Sequence, residues 1–219
     1  MTPRLLDLFC GQGGAGMGYH LAGFDVTGVD IALQPRYPFA FVQADALEYA
    51  AAHGCEYDVI HASPPCQGYS QCMYLPVAHK PHLMLIEPTR AELASSGRPY
   101  VIENVEGAPL LEPLMLCGSM FGLGVLRHRL FECNPRLAFA PSMCNHTGGV
   151  LPIWWRTRQR VIAAGMEYKY LTVAGKSYLM PEAKRAMDID WMSRPGMSQA
   201  IPPAYTRWIG EQLREVLGL

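Results

Sequence analysis

The stretch from Arg4 to Asp30 limits the architecture more than any other part of the chain. Arg4-Leu5-Leu6-Asp7-Leu8-Phe9 is a short apolar strand that runs directly into Cys10-Gly11-Gln12-Gly13-Gly14-Ala15-Gly16-Met17-Gly18. Tyr19-His20-Leu21-Ala22 continues as a helix that Gly23 can end, and Asp25-Val26-Thr27-Gly28-Val29-Asp30 is a second strand closed by an acid. Strand, glycine turn, helix and strand together open an α/β fold with a parallel sheet and helices on both faces. Glycines crowded into the turn let a ligand reach the backbone, where a helix start offers free N–H groups.

The spacing of Gly11, Gly13 and Gly16 satisfies the dinucleotide fingerprint, with Asp30 placed for ribose hydroxyls. NAD and S-adenosylmethionine both carry an adenosine, so the glycines alone do not choose between them. Phe39-Ala40-Phe41-Val42-Gln43-Ala44-Asp45 reads as a third strand, followed by a helix from Ala46 to about His53. Asp45 at its tip suits two compatible roles, an acceptor for an adenine amino group or an N-terminal cap of the helix.

After the apolar run Tyr57-Asp58-Val59-Ile60-His61 comes Ala62-Ser63-Pro64-Pro65-Cys66-Gln67-Gly68-Tyr69-Ser70. Prolines fix their own backbone and hold the preceding residue extended, so Cys66 is presented in a stiffened loop at the carboxyl end of a buried strand. Open α/β sheets place their chemistry at that edge. Residues 81–95 are loosely helical with a break near Pro88, and Tyr100-Val101-Ile102-Glu103-Asn104-Val105 is another buried strand. Its acid, Glu103, falls on the same edge as Cys66 and needs a partner or a task there. Arg127-His128-Arg129-Leu130-Phe131-Glu132 sets two arginines on one side of an extended segment, a pattern suited to an anionic or carbonyl-bearing ligand.

Net charge is −1 over 219 residues, so bulk electrostatics do not attract a polyanion and any nucleic-acid contact must come from a local basic face. Leu151-Pro152-Ile153-Trp154-Trp155-Arg156-Thr157-Arg158-Gln159-Arg160 supplies tryptophans among arginines; phosphate contact with base stacking and plain amphipathic packing explain it equally well. Any phosphate contacts are expected among the arginines between Arg127 and Arg160. Seven cysteines, an odd number with no secretory leader after Met1-Thr2-Pro3-Arg4, set the expectation of reduced thiols in the cytoplasm. The apolar stretch 113–126 is too short and glycine-broken to span a bilayer, so no membrane association is expected. Cys144-Asn145-His146, with Cys133 upstream, hints at zinc, but no paired Cys-x-x-Cys exists and no metal is expected. Residues 203–217 form an amphipathic helix.

Taken in order, Asp7-Leu8-Phe9-Cys10-Gly11-Gln12-Gly13-Gly14, Pro64-Pro65-Cys66-Gln67, Glu103-Asn104-Val105 and Arg127-His128-Arg129 resemble the motif series of the DNA cytosine-5 methyltransferases. The resemblance covers most of residues 4–132 and resumes near the carboxyl terminus. It implies a Rossmann-like, S-adenosylmethionine-dependent fold, mainly parallel, with helices on both faces and a small recognition insert, acting on double-stranded DNA; a monomer is expected. It assigns Cys66 as the nucleophile for carbon 6 of a flipped-out cytosine, Glu103 as the group at ring nitrogen 3 and the amino group, and Arg129 as the holder of the base carbonyl. Arg127 is its neighbour in the motif, and Glu103 is expected to have a raised pKa. For the cofactor it implies Phe9, Cys10 and the turn Gly11, Gln12, Gly13, Gly14; Asp30 at the ribose; Ile31 and Asp45 with Ala46 at the adenine; and Pro65, Gln199 and Ile201.

One departure stands out in Ser198-Gln199-Ala200-Ile201-Pro202-Pro203. Gln199 replaces the family's usual asparagine with an amide one methylene longer. The expected organisation is a catalytic core over residues 1–134, a reduced target-recognition insert over 135–180, and a segment returning to the core over 181–219. That compactness resembles phage-encoded members. The same chemistry on RNA and a non-catalytic cofactor- and DNA-binding role are the alternatives, and intact Cys66, Glu103 and Arg129 speak against the second.

Overall fold

The computed structural model describes residues 2–69, 83–137, 140–151, 155–175 and 178–219, with side chains in its fourth segment from Gln159 onward. Strands β1 (Arg4–Leu8), β2 (Asp25–Asp30), β3 (Ala40–Gln43), β4 (Val59–Ala62) and β5 (Tyr100–Asn104) run parallel. Strands β6 (Leu114–Leu116) and β7 (Arg129–Asn134) complete a seven-stranded sheet ordered β3-β2-β1-β4-β5-β7-β6, in which β7 is antiparallel to both neighbours. Because β7 runs backwards, its first residues lie beside the last of β5: Asn104 pairs with Leu130 and Glu103 with Phe131.

The strand sequences explain both faces. Leu5, Val26, Val59, Val101 and Phe131 point to one side, where they pack with Ala15 and Tyr19 of α1 (Gly14–Leu21) and Tyr205, Ile209 and Leu213 of α7 (Pro203–Leu217). Leu6, Leu8, Val29, Ile60 and Ile102 point to the other, against α2 (Ala46–His53) and α3 (Ile86–Ser95). With helices on both faces, successive residues are all buried, so these strands read as continuous apolar runs. The third strand is shorter than expected, Ala40–Gln43, because Asp45 leaves the ladder to cap α2, accepting from Leu47 N and Glu48 N. Pro88 does not break α3. It sits in the first turn, where a missing N–H costs nothing. Residues 81 and 82, read as part of that helix, lie outside the described residues.

A bidentate ion pair ties α3 to β7. Arg90 Nε and Nη2 donate to the two Glu132 oxygens at 2.8 and 2.7 Å, and Leu111 N donates to Oε2 at 2.8 Å.

Beyond β7 the chain builds β8 (Val150–Leu151), α4 (Trp155–Ala163) and β9 (Tyr170–Leu171), with β8 and β9 parallel in a two-stranded sheet. Val125 bridges to Leu171, which docks this small sheet beside the start of β7. Helices α5 (Met180–Met187) and α6 (Arg194–Gln199) contribute Ala183, Met187 and Met197 to a cluster shared with Val125, Leu151 and Leu171. Residues 183–200 therefore share their core with the insert, and the return to the main sheet is made by α7. No helix among the described residues is long and apolar enough to cross a membrane.

Candidate active site

Strands β1, β2, β4 and β5 end on the same edge of the sheet because they are parallel, and a cleft of about 550 Å³ opens there, closed from the other side by residues 192–201. Its position outside the carboxyl ends of the strands follows the general rule for open α/β sheets, and its size suits a small-molecule ligand.

Cys66, Glu103 and Arg129 all line this cleft, although 63 residues separate the first from the last. The loop carrying Cys66 is fixed from both ends. Ser63 N donates to Leu8 O at 3.2 Å, Tyr69 N to Cys66 O at 3.0 Å, and buried Asn104 Nδ2 to Pro64 O at 2.8 Å. Glu103-Asn104 thus does two jobs with adjacent side chains, since Glu103 faces the cleft while Asn104 holds the loop that carries Cys66.

Glu103 is 6% exposed, and burial raises its carboxyl above the usual range, offset in part by Arg129 and by a hydrogen bond from Ser63. Arg129 Nε lies 3.0 Å from Glu103 Oε1, yet that oxygen receives no directed hydrogen bond. Behind Ser63, His61 Nε2 meets the Ser63 hydroxyl at 2.9 Å and Nδ1 meets the Tyr19 hydroxyl at 3.0 Å. Burial pulls His61 down to about 3, so this imidazole is neutral. The Cys66 thiol is raised by burial; Arg129 opposes the shift and Glu103 adds to it. Arg129 is the cationic neighbour that favours the thiolate, and burial outweighs it.

The other half of the cleft is lined by Phe9, Cys10, Gly11, Gln12 and Gly14 from the turn, Asp30 and Ile31 after β2, Asp45 and Ala46 at α2, and Pro65, Gln199 and Ile201. Asp30 anchors the turn: its carboxylate accepts from Gly11 N at 3.0 Å and Ala32 N at 2.9 Å. Asp45 makes both cap bonds through Oδ1, at 2.9 and 3.1 Å, which leaves Oδ2 for a ligand. Ile31 is 73% exposed, an apolar side chain offered to the cleft rather than to the core.

Two of the residues assigned from sequence do not line the cleft. Gly13 does not line the cleft; it holds φ 82° as the N-cap of α1, with Tyr37 and Pro38 where a β-carbon would be. Arg127 is 7% exposed and donates to Val173 O at 2.7 Å and Ser198 O at 2.8 Å. The period-two reasoning failed here because β7 begins only at Arg129, so Arg127 precedes the strand and its alternation. Burial pulls Arg127 down to about 9, and its backbone carbonyl accepts from the Tyr205 hydroxyl at 2.6 Å. It clamps the insert and the carboxyl-terminal segment together and, being buried, is no phosphate contact. Trp154 lies outside the described residues, as do the side chains of Trp155, Arg156 and Arg158.

The glycine run also needs correction. A β-carbon at Gly14 would strike Ile201 O, and one at Gly18 would strike Pro203 O and Thr206 Oγ1. The missing side chains of these glycines give clearance to the carboxyl-terminal segment, and Gly14 also lines the cleft. Sequence reasoning gave no role to Asp7, which lines the cleft at 1% exposure. It accepts from the Tyr37 hydroxyl at 3.0 Å, and burial pushes it up to about 8. The signal was an acid inside an apolar strand, the same one that singled out Glu103.

This fold recurs in solved structures. A protein described as a DNA modification methyltransferase, encoded within a prophage (E. coli), matches with a TM-score of 0.63 at 16% identity over 100% of both chains. The Dnmt2 methyltransferase of S. pombe matches with a TM-score of 0.60 at 13% identity over 99% of both. The fold is that of the Rossmann-like methyltransferases. In sequence, the methyltransferase-fold chain is 27% identical over 165 residues to the Type II methyltransferase M.AgeI of Thalassovita gelatinovora, covering 58% of this chain and 38% of that one. No family model matches the chain.

Proposed function

We propose that this chain is an S-adenosylmethionine-dependent DNA methyltransferase that modifies carbon 5 of cytosine through a covalent adduct on Cys66. The observation that carries the reading is the convergence of Cys66, Glu103 and Arg129 on one cleft whose other half presents Asp30, Asp45 and Ile31. The donor set fits an adenosine-bearing cofactor. Asp30 and Asp45 offer acceptors for ribose hydroxyls and an adenine amino group, and Ile31 an apolar contact for the ring. Bound there, S-adenosylmethionine supplies an electrophilic methyl group.

Carbon 5 of cytosine is a weak nucleophile. The Cys66 sulfur adds to carbon 6, forming an S–C6 bond and pushing electron density toward ring nitrogen 3 and carbon 5. Glu103, protonated more readily than an ordinary glutamate, donates at nitrogen 3 where that charge collects. Arg129 holds the carbonyl at carbon 2 and orients Glu103 through their 3.0 Å contact. Once carbon 5 carries the methyl group, loss of its proton to a base, return of the nitrogen-3 proton to Glu103 and expulsion of the Cys66 sulfur restore the aromatic ring. The target must leave the helical stack to enter the cleft, so double-stranded DNA is the partner and residues 135–180 form the lobe that addresses it. Residues 1–134 with α7 form the catalytic core. The prophage neighbour and the M.AgeI relative favour DNA over RNA and a phage or restriction–modification setting.

Nucleoside mass spectrometry of DNA and of RNA, each incubated with S-adenosylmethionine and protein, tests the reading. Wild-type protein is expected to produce 5-methylcytosine in DNA alone, and Cys66→Ala none. Product only in RNA moves the assignment to RNA. Cofactor binding with no new nucleoside overturns catalysis.

A further inference from the structure

We infer that Cys117, His128, Cys144 and His146 form a structural zinc site that joins the insert to the arginine-bearing strand of the cleft. Cys117 follows β6, His128 stands between Arg127 and Arg129, and Cys144 and His146 come from the insert. One ligand atom from each of the four lies within 4.8 Å of every other. Sequence reasoning had grouped Cys144 and His146 with Cys133 and expected no metal. Cys133 instead sits on β7 with its sulfur 4.0 Å from Phe131 O, and the missing ligands come from two distant segments.

The spacing approaches that of a zinc tetrahedron. Bond lengths of about 2.0 Å to nitrogen and about 2.3 Å to sulfur put nitrogen–nitrogen edges near about 3.3 Å and nitrogen–sulfur edges near about 3.5 Å. His128 Nε2 and His146 Nε2 are 3.2 Å apart, Cys144 Sγ and His128 Nε2 3.4 Å, and Cys117 Sγ and His146 Nε2 3.5 Å. The Cys144 Sγ to His146 Nε2 edge, 2.7 Å, has to open by under about 1 Å to match. Both imidazoles turn the same nitrogen, Nε2, toward the shared centre.

The surroundings are those of a metal centre as well. His128 Nδ1 lies 3.2 Å from Glu106 Oε2, the carboxylate partner that sets a ligating histidine's tautomer. The Ser119 hydroxyl lies 3.5 Å from Cys117 Sγ and 3.6 Å from Cys144 Sγ, and it accepts from Asn145 N at 3.1 Å. Two cysteines and two histidines in tetrahedral array select zinc among the common divalent ions. Binding releases two thiol protons to solvent, so a doubly charged cation and two thiolates leave the centre neutral. Neither ligand pair belongs to the cleft, and the inference stands whether or not the chain methylates DNA.

The test is metal analysis of the purified, tag-free chain. About one zinc per chain is expected. After removal by a chelator, cobalt(II) is expected to give the intense visible bands of tetrahedral coordination with a thiolate-to-cobalt charge-transfer band, a readout that needs no variant. Cys144→Ser and His146→Ala are each expected to abolish stoichiometric zinc, Glu106→Gln to weaken affinity by roughly 10–100-fold, and Cys133→Ser to retain it. Absence of zinc with no cobalt bands, a Cys117–Cys144 disulfide in the purified protein, or zinc retained by both ligand variants would each overturn the site.

Discussion

Two buried carboxylates on neighbouring strands, each beside an arginine, have been given opposite treatment. Glu132 on β7 accepts three hydrogen bonds, two from the Arg90 fork and one from Leu111 N, and its side chain is 5% exposed. Glu103 on β5 is equally buried, but Arg129 approaches it from one side and Oε1 is left without a directed hydrogen bond. A completed pair cross-links helix to sheet. An incomplete one, raised by burial, keeps capacity for a partner that arrives later. Position in the sheet explains the division: Glu132, opposite Ile102, shares the face covered by α3 and its Arg90, whereas Glu103, one register position on and on the other face, stands at the edge where the cleft opens.

The comparison breaks most sharply under substitution. Glu103→Gln is expected to lower kcat by about 100- to 10,000-fold while leaving thermal stability intact, measured by single-turnover methylation and melting. Arg90→Met should do the reverse. It leaves Glu132 buried without its cation, at a cost of about 3–5 kcal/mol in denaturant unfolding, with cofactor affinity unchanged. A large activity loss in Arg90→Met, or a large stability loss in Glu103→Gln, would erase the distinction.

Next in size is Arg127→Met, which removes charged hydrogen bonds to Val173 O and Ser198 O. A loss of about 1.5–3 kcal/mol is expected, with faster proteolysis of residues 173–200. A direct contact from Arg127 to an anionic or carbonyl-bearing ligand, as the paired arginines suggested, predicts lost ligand binding without that destabilisation.

Two pH measurements sharpen the contrast. The Cys66 thiol is raised by burial, so its alkylation rate in free protein should climb with pH through and beyond the ordinary thiol range, and Arg129→Gln should push the profile higher. Glu103 gives the smallest effect. Its folded-state pKa lies above the unfolded value, so its contribution to stability is full below the ordinary carboxylate range and is lost as pH rises through the raised value. Glu103→Gln should therefore gain stability relative to wild type as pH increases; a gain on acidification would contradict the raised pKa.

The parallel half of the sheet was legible because burial on two faces writes itself as unbroken apolar runs, with β2 and α2 placed to the residue. The position of Cys66, Glu103 and Asp30 at the cleft was legible for a related reason, each closing or following such a run. What escaped depended on chain reversal and distant partners. Nothing local to Arg127 and Arg129 says that the strand starts between them, or that Arg127 faces Val173 and Ser198. Likewise Gly14 and Gly18 looked like a ligand's clearance, and only the position of residues 201–206 reveals whose backbone they admit.

That last contact has a consequence for the order of events as the protein is made. The Gln12 amide is bonded to Ser193 Oγ and N at 2.9 and 2.8 Å, and the Thr206 hydroxyl to Ala15 O at 2.8 Å, spans of 181 and 191 residues. The glycine turn emerges from the ribosome early but lacks its closing wall until residues beyond 206 follow, at roughly 5–20 residues per second. For about 10–40 seconds of synthesis the nascent chain carries the turn without the cleft. Completion of the cleft is therefore a late event, gated by translation rather than by the turn itself.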